Sequence, residues 1–308
     1  MRRETRTLEI RGRRFVLGPH TWLMGVVNVT PDSFSDGGMY FDVQKAVDRA
    51  LELAFEGADI VDIGGESTRP GSRAVPEDEE LGRVVPVIAA LRKKTMVLIS
   101  VDTTKAAVAR AALDAGADII NDTSAFRFDP AMPGVVARSG AGVVLMHMKG
   151  TPETMQDSPH YDDIIGEISG FLAERVRMAE AAGIPRERVI VDPGIGFGKG
   201  FEHNLELLRC QESFHRLERP LLLGFSRKAF LGHILDSPPA ERLEGTIAAA
   251  VLSAERGAHI LRVHDVGPVA RAVRTAEAIL GSGDGHGCAA GAGEQGGTAM
   301  KEKTGHVR

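Results

Sequence analysis

Apolar and polar positions vary along this chain on two different periods. Short, nearly continuous apolar runs recur at residues 22–29, 59–63, 96–101, 119–121, 143–147, 189–192, 221–224 and 260–263. Between them, residues 43–56, 77–94, 105–115, 163–182, 243–256 and 268–280 space their apolar positions as amphipathic helices do. Runs of the first kind read as strands covered on both faces, which is the pattern of parallel sheets. Eight such strands alternating with helices predict a closed (β/α)8 barrel of the TIM type, an α/β fold, over residues 19–280. A doubly wound open sheet is the alternative; it ordinarily has fewer strands and carries its ligand at a switch point.

Two segments fall outside the repeat. Residues 8–17 alternate apolar and polar around a glycine turn, so residues 1–18 are expected to form an N-terminal β-hairpin extension. Residues 281–308 are rich in Gly and Ala and have no periodicity, which predicts a disordered C-terminal tail. Helix-to-strand junctions repeat a Gly-Ala pair, as in Gly57-Ala-Asp-Ile-Val-Asp62 and Gly116-Ala-Asp-Ile-Ile-Asn121. Glycine suits the left-handed residue that ends a helix, so these junctions support the barrel.

Seven polar signatures each follow an apolar run: Asn28-Val-Thr-Pro-Asp-Ser-Phe-Ser-Asp-Gly-Gly38, Gly64-Gly-Glu-Ser-Thr-Arg-Pro-Gly71, Val101-Asp-Thr103, Asn121-Asp122, Asp192-Pro-Gly-Ile-Gly196, Ser226-Arg-Lys228 and Arg262-Val-His264. In a barrel, the carboxyl ends of the strands surround one active site. Asp62, Asp102 and Asp192 would gather negative charge there, with Lys228, Arg262 and His264 to balance it. Each aspartate alone could equally be a helix cap. A mouth of this composition suits a polar, planar ligand with hydrogen-bond donors. The first two signatures are long loops of the kind that act as lids, with a solvated connector as the plainer reading. Gly194 to Gly200 has neither Walker nor Rossmann glycine spacing and reads as a turn at the barrel rim.

Composition narrows the chemistry. The 308 residues carry a net charge of -5, which supplies no basic field for nucleic acid or an acidic membrane surface. Two cysteines far apart fit a reducing compartment, and the charged start leads into no apolar segment of export or membrane length, so the cytoplasm is expected. No HExxH, paired-cysteine or EF-hand pattern is present, which argues against structural zinc or calcium. Magnesium arriving with a phosphate needs only one or two protein oxygens, and Asn28 could supply one or merely cap its strand.

These motifs, in this order, resemble the bacterial dihydropteroate synthases. Residues 24–38 and 62–71 match two signatures of that family nearly residue for residue, and the resemblance runs over roughly residues 20–280. It implies a (β/α)8 barrel that joins 6-hydroxymethyl-7,8-dihydropterin diphosphate to 4-aminobenzoate, with Mg2+ as cofactor, diphosphate as leaving group and a homodimer as the assembly. By the same resemblance Asp102, Asn121, Asp192 and Lys228 hold the pterin between Met146 and Phe197. Asn28, Thr68, Arg262 and His264 take the diphosphate, with Asn28 also on the metal. Phe34, Pro70 and Ser226 border the aminobenzoate. Asp36, Arg69 and Lys228 are the implied catalytic residues, the first two brought in by the loops. The chain departs from the pattern at Thr104, where an aromatic residue is frequent, and at Gly200, where Thr is common.

Two other functions fit the same barrel. A pterin-binding methyltransfer module serving corrinoid proteins would lack the diphosphate loops, which are present here. A non-catalytic pterin-binding paralogue would keep the fold without turnover, and the sequence alone separates it poorly from the enzyme.

Overall fold

A computed structural model describes residues 4–30, 39–68, 71–72 and 74–281. The first strands, β1 (Arg6–Ile10) and β2 (Arg13–Leu17), form the antiparallel hairpin expected from the alternation. Arg11 and Gly12 turn it, both at positive φ, as a tight hairpin with right-handed strand twist requires.

The remaining strands are β3 (Trp22–Asn28), β4 (Ile60–Gly64), β5 (Leu98–Asp102), β6 (Ile119–Asp122), β7 (Gly142–Met146), β8 (Val189–Asp192), β9 (Leu222–Leu223) and β10 (Ile260–Val263). They form one parallel sheet in the order β8-β7-β6-β5-β4-β3-β10-β9. A parallel bridge from Val191 to Leu221 closes it into a ring. Residues 119–122, 189–192 and 260–263 form strands within a residue of where the apolar runs placed them.

Helices α1 (Met39–Glu56), α2 (Glu77–Arg92), α3 (Ala106–Ala115), α5 (Ile164–Ala181), α8 (Leu243–Glu255) and α9 (Val266–Leu280) occupy the amphipathic stretches. Three more, α4 (Met132–Ser139), α6 (Phe201–Arg209) and α7 (Ala229–Leu235), were not anticipated. Seven to nine residues are too few for a helical period to stand out, and α4 carries Pro133 and Gly134 in its first turn.

Parity along each strand sorts the side chains. Leu23, Val61, Ile99, Ile120, Val143, Val191, Leu223 and Leu261 join the main core against the helices. Their neighbours Met24, Ile60, Leu98, Ile119, Val144, Ile190, Leu222 and Ile260 form a separate cluster inside the ring, joined by Leu8, Ile10, Leu17 and Trp22. The hairpin therefore plugs the amino end of the barrel, and the backbone bond from Arg11 N to Gly140 O at 2.7 Å ties its turn to the barrel wall. Burying an aliphatic side chain fully is worth about 1.5–3 kcal/mol, so three from the plug form a substantial seal.

Candidate active site

One pleat further along the same strands the inward positions become polar. Ile60 is followed by Asp62, Leu98 by Ser100 and Asp102, Ile119 by Asn121, Ile190 by Asp192 and Ile260 by Arg262. A period of two sends all of these into the ring on its carboxyl side. Register adds detail: Asp102 pairs with Asn121 and Met146 with Asp192, so those side chains stand next to one another.

An ion bridge organises the mouth. Arg262 donates from Nε to Asp62 Oδ2 at 2.7 Å and from Nη2 to Asp102 Oδ2 at 2.8 Å. Asn121 donates from Nδ2 to the same Asp62 oxygen at 3.0 Å. A carboxylate only accepts, so this contact also sets the amide orientation of Asn121. Asp62 is wholly buried and its second oxygen, Oδ1, has no hydrogen-bond partner among the described residues. Replacing a buried ionic group of this kind with packed apolar residues is often neutral or stabilising, so the bridge points to function before stability.

Electrostatics in the mouth are strongly perturbed. Burial pushes the Asp102 carboxyl up to about 7; Arg262 pulls the other way, while Asp62, Glu80 and Asp122 add to the rise. Asp192 is likewise raised by burial, against its hydrogen bond from Gly194 N at 2.7 Å and the charges of Lys228, Lys199 and Arg262. Desolvation lowers the Lys228 amine to about 7, with Asp192 and Asp102 opposing and Arg262 assisting. For Arg262 desolvation acts downward, but the Asp62 and Asp102 carboxylates outweigh it and hold the guanidinium cationic. Several perturbed groups gathered in one mouth make it a candidate functional site.

Lys228 reaches this mouth from a strained turn. Arg227 sits at φ 59°, in the left-handed region, and is fixed by Nε to Asp265 Oδ2 at 2.9 Å and N to Thr246 Oγ1 at 3.2 Å. On either side of it, Ser226 Oγ lies 3.1 Å from His264 Nδ1, and Lys228 Nζ donates to Ile195 O. Lys228 Nζ also stands 4.3 Å from the centre of the Phe197 ring. Phe197 packs with Met146, Met148 and Met155 in a small cluster apart from the core, an apolar wall beside the charges.

The structure thus brings Asp102, Asn121, Asp192, Lys228 and Arg262 into one mouth, Met146 to Phe197, and His264 to Ser226. Thr68 lines a small polar cavity with Asp102, Glu80 and Thr123. Asn28 ends β3 opposite Gly64 of β4, whose partner on the other side is Asp102 of β5. Phe34, Asp36, Arg69 and Pro70 lie outside the described residues, as does the tail from 282 onward. Asp62 was read with Asp102 and Asp192 as an acid at its strand's end but was given no role. Two residues of the site were not singled out by pattern. Lys199 and His147 are buried together behind Phe197, and nothing in spacing marks a buried lysine.

Comparison with known proteins gives the family. Residues 24–264 match the model of the pterin binding enzyme family. Dihydropteroate synthase of Escherichia coli strain K12 is 47% identical over 261 residues, which is 85% of this chain and 92% of that protein. The structure of Xanthomonas albilineans dihydropteroate synthase with 4-aminobenzoic acid superposes with TM-score 0.84 at 47% identity, covering 90% of this chain and 99% of that one. A Yersinia pestis dihydropteroate synthase in complex with a sulfonamide drug gives TM-score 0.83 at 44% identity, over 89% and 99% of the two chains. With its polar mouth at the carboxyl ends of a closed barrel, the chain belongs to the dihydropteroate synthase family of pterin-binding enzymes.

Proposed function

We propose that residues 19–280, plugged by residues 1–18, condense 6-hydroxymethyl-7,8-dihydropterin diphosphate with 4-aminobenzoate, giving 7,8-dihydropteroate and diphosphate, a step of folate biosynthesis. The observation that carries this reading is the buried Asp62–Arg262–Asp102 bridge in one mouth with Asn121, Asp192 and Lys228. A pterin edge presents amino and ring N–H donors beside ring-nitrogen and carbonyl acceptors. Asp102 and Asp192 accept from the donors. Gly194 N occupies Asp192 Oδ1, which leaves Oδ2 for the ligand. Lys228 and the remaining N–H of Asn121 donate to the acceptors, and Met146 and Phe197 flank the ring.

The route is SN1-like. The C–O bond to diphosphate breaks with its electron pair leaving on oxygen, and the aniline nitrogen then forms the C–N bond and gives up a proton. The carboxyl groups of Asp62, Asp102 and Asp192 line the mouth, and their ionised forms favour a cation on the pterin methylene. Thr68, Arg262 and His264 hold the departing diphosphate, with the guanidinium as a planar fork. Ser226, held against His264, borders the aminobenzoate together with Phe34 and Pro70. Asp36 and Arg69 complete the site from the two loops, orienting reactants and excluding water.

Asn28 fits a magnesium ion that is shared with phosphate. A Cβ on Gly64 would stand 3.5 Å from Asp102 Cβ, 3.9 Å from Asp102 Oδ2 and 4.0 Å from Asn28 Oδ1, so glycine leaves this gap between two oxygens clear. One amide oxygen near one carboxylate suits an ion that keeps waters and shares phosphate oxygens. The chemistry a bound Mg2+ supplies is neutralisation of the charge growing on the leaving group.

The partners in this reading are the two small substrates and a second copy of the chain. Exposed Ile234 and Leu235 on α7 and Leu252 on α8 support a homodimer through late helices. Among the described residues no helix is long and apolar enough to cross a membrane. The dispersed cysteines favour the cytoplasm. The test is product formation, followed by chromatography, from pterin diphosphate, 4-aminobenzoate and Mg2+. Dihydropteroate that requires all three is expected. Pterin-diphosphate binding without product would turn the reading to a non-catalytic paralogue, and no binding would overturn it.

A further inference from the structure

Lys199 is only 2% exposed, and among the described residues none of its hydrogen-bond partners is a carboxylate. Its Nζ lies 2.9 Å from His147 Nδ1, 3.3 Å from His147 O and 2.9 Å from Phe197 O. Three contacts match the donor capacity of an ammonium group, yet every partner is neutral. Lysine is almost never this buried without pairing, so the position demands a reason beyond packing. Burial holds the amine well below its usual value; Asp192 opposes this, and Lys228, Arg127 and Lys149 add to it. Burial, then the Lys199 charge, also lowers His147 to about 2, which keeps its ring neutral and Nδ1 free to accept.

The partners of Lys199 belong to two different loops. His147 follows β7, and Phe197 follows β8. The two backbones touch: Gly194 is at φ +70°, and a Cβ there would meet His147 O at 1.9 Å. From the same β8 loop come the Gly194 N–H bound to Asp192, the Ile195 carbonyl that receives Lys228, and the Phe197 ring beneath the Lys228 amine. A shift of this loop therefore moves three parts of the mouth together.

We propose that Lys199 is a positioning residue that clamps the β7 and β8 loops together and thereby holds Asp192, Lys228 and Phe197 in place for the pterin. The inference rests on the pterin reading of that wall. It assigns Lys199 to the pterin ring and not to the aminobenzoate, since Ser226, which borders the aminobenzoate, bonds His264 and is not among the partners of Lys199.

The experiment compares wild type with Lys199→Met, which keeps the apolar stem and removes all three bonds. Three readouts are used: pterin-diphosphate affinity by calorimetry, KM for each substrate, and amide hydrogen exchange over residues 194–198. The expected result is pterin affinity weakened about tenfold, the aminobenzoate KM within about twofold of wild type, and faster exchange in the loop. Lys199→Arg, which keeps the donors, should recover part of the pterin affinity. His147→Phe keeps the ring packing on Phe171, loses the Nδ1 acceptor and should give the same split on a smaller scale. It decides the question if Lys199→Met fails to fold. Unchanged pterin affinity with unchanged exchange, or equal losses for both substrates, would overturn the clamp. A wild type that forms no dihydropteroate would instead overturn the proposed function, while the exchange comparison still decides the clamp.

Discussion

The two ends of the barrel are built from the same eight strands and have opposite interiors. At the amino end Ile60, Leu98, Ile119 and Ile190 pack with Leu8, Ile10 and Leu17 of the hairpin into a dry plug. At the carboxyl end, one pleat away, Asp62, Asp102, Asn121 and Asp192 surround Arg262 in a buried ionic mouth. The first interior gains free energy from every side chain it holds. The second pays desolvation on each charge and keeps one carboxylate oxygen, Asp62 Oδ1, unpartnered among the described residues. Stability and chemistry are thus segregated along a single strand, which allows a polar site to persist a few ångströms from an apolar seal.

Substitutions at the two ends should separate these roles. The largest effect is expected from Asp62→Ala, which strands Arg262 and Asn121: a loss of about 3–5 kcal/mol in stability together with loss of turnover. Denaturant unfolding and the product assay would check it, and near-wild-type activity would break the contrast. Next, Ile10→Ala at the plug should lower stability by about 2–5 kcal/mol while the activity of the folded fraction is retained. A specific fall in kcat with unchanged unfolding would show that the plug communicates with the mouth.

Lys228→Met should weaken pterin-diphosphate binding by about 1.5–3 kcal/mol, because a buried ring acceptor loses a charged donor, with little change in unfolding. Its pH dependence sharpens the point. The Lys228 amine titrates near 7, so it is cationic below that value and loses its charge as pH rises through it. Pterin affinity should therefore fall on the alkaline side of about 7 in wild type, and that limb should vanish in Lys228→Met. Asp102 titrates in the same range with the opposite sense, gaining charge as pH rises, and its contribution should remain in the variant. The smallest effect belongs to Ser226→Ala, which removes the hydroxyl beside His264 Nδ1 and the oxygen receiving His264 N. About 1 kcal/mol is expected, read as a higher KM for aminobenzoate together with a small loss of pterin-diphosphate affinity through the loosened His264.

The legible part of the fold followed from burial on two faces. Residues 189–192 and 260–263 read as strands because every position packs either on helices or in the ring, and α5 and α9 because long amphipathic periods are hard to mistake. The helices α4, α6 and α7 escaped because they are short. In the site, Asp102, Asn121, Asp192 and Arg262 were legible as polar residues closing apolar runs. Asp62 has the same position in its strand, but only the register of β4 against β5 and the reach of Arg262 make it the shared acceptor of the mouth.

By itself, the sequence determined the strand count, the parallel pairing and the carboxyl-end location of the site. Each of these follows from local periodicity and from residue type at strand ends. Only the tertiary structure decided which charges meet. Arg262 bonds carboxylates 200 and 160 residues away in sequence, and Lys199 joins a ring nitrogen 52 residues earlier to the loop that carries Phe197. The physical reason is that barrel closure, not chain proximity, sets these neighbours, and a buried lysine and an exposed one have the same sequence signature.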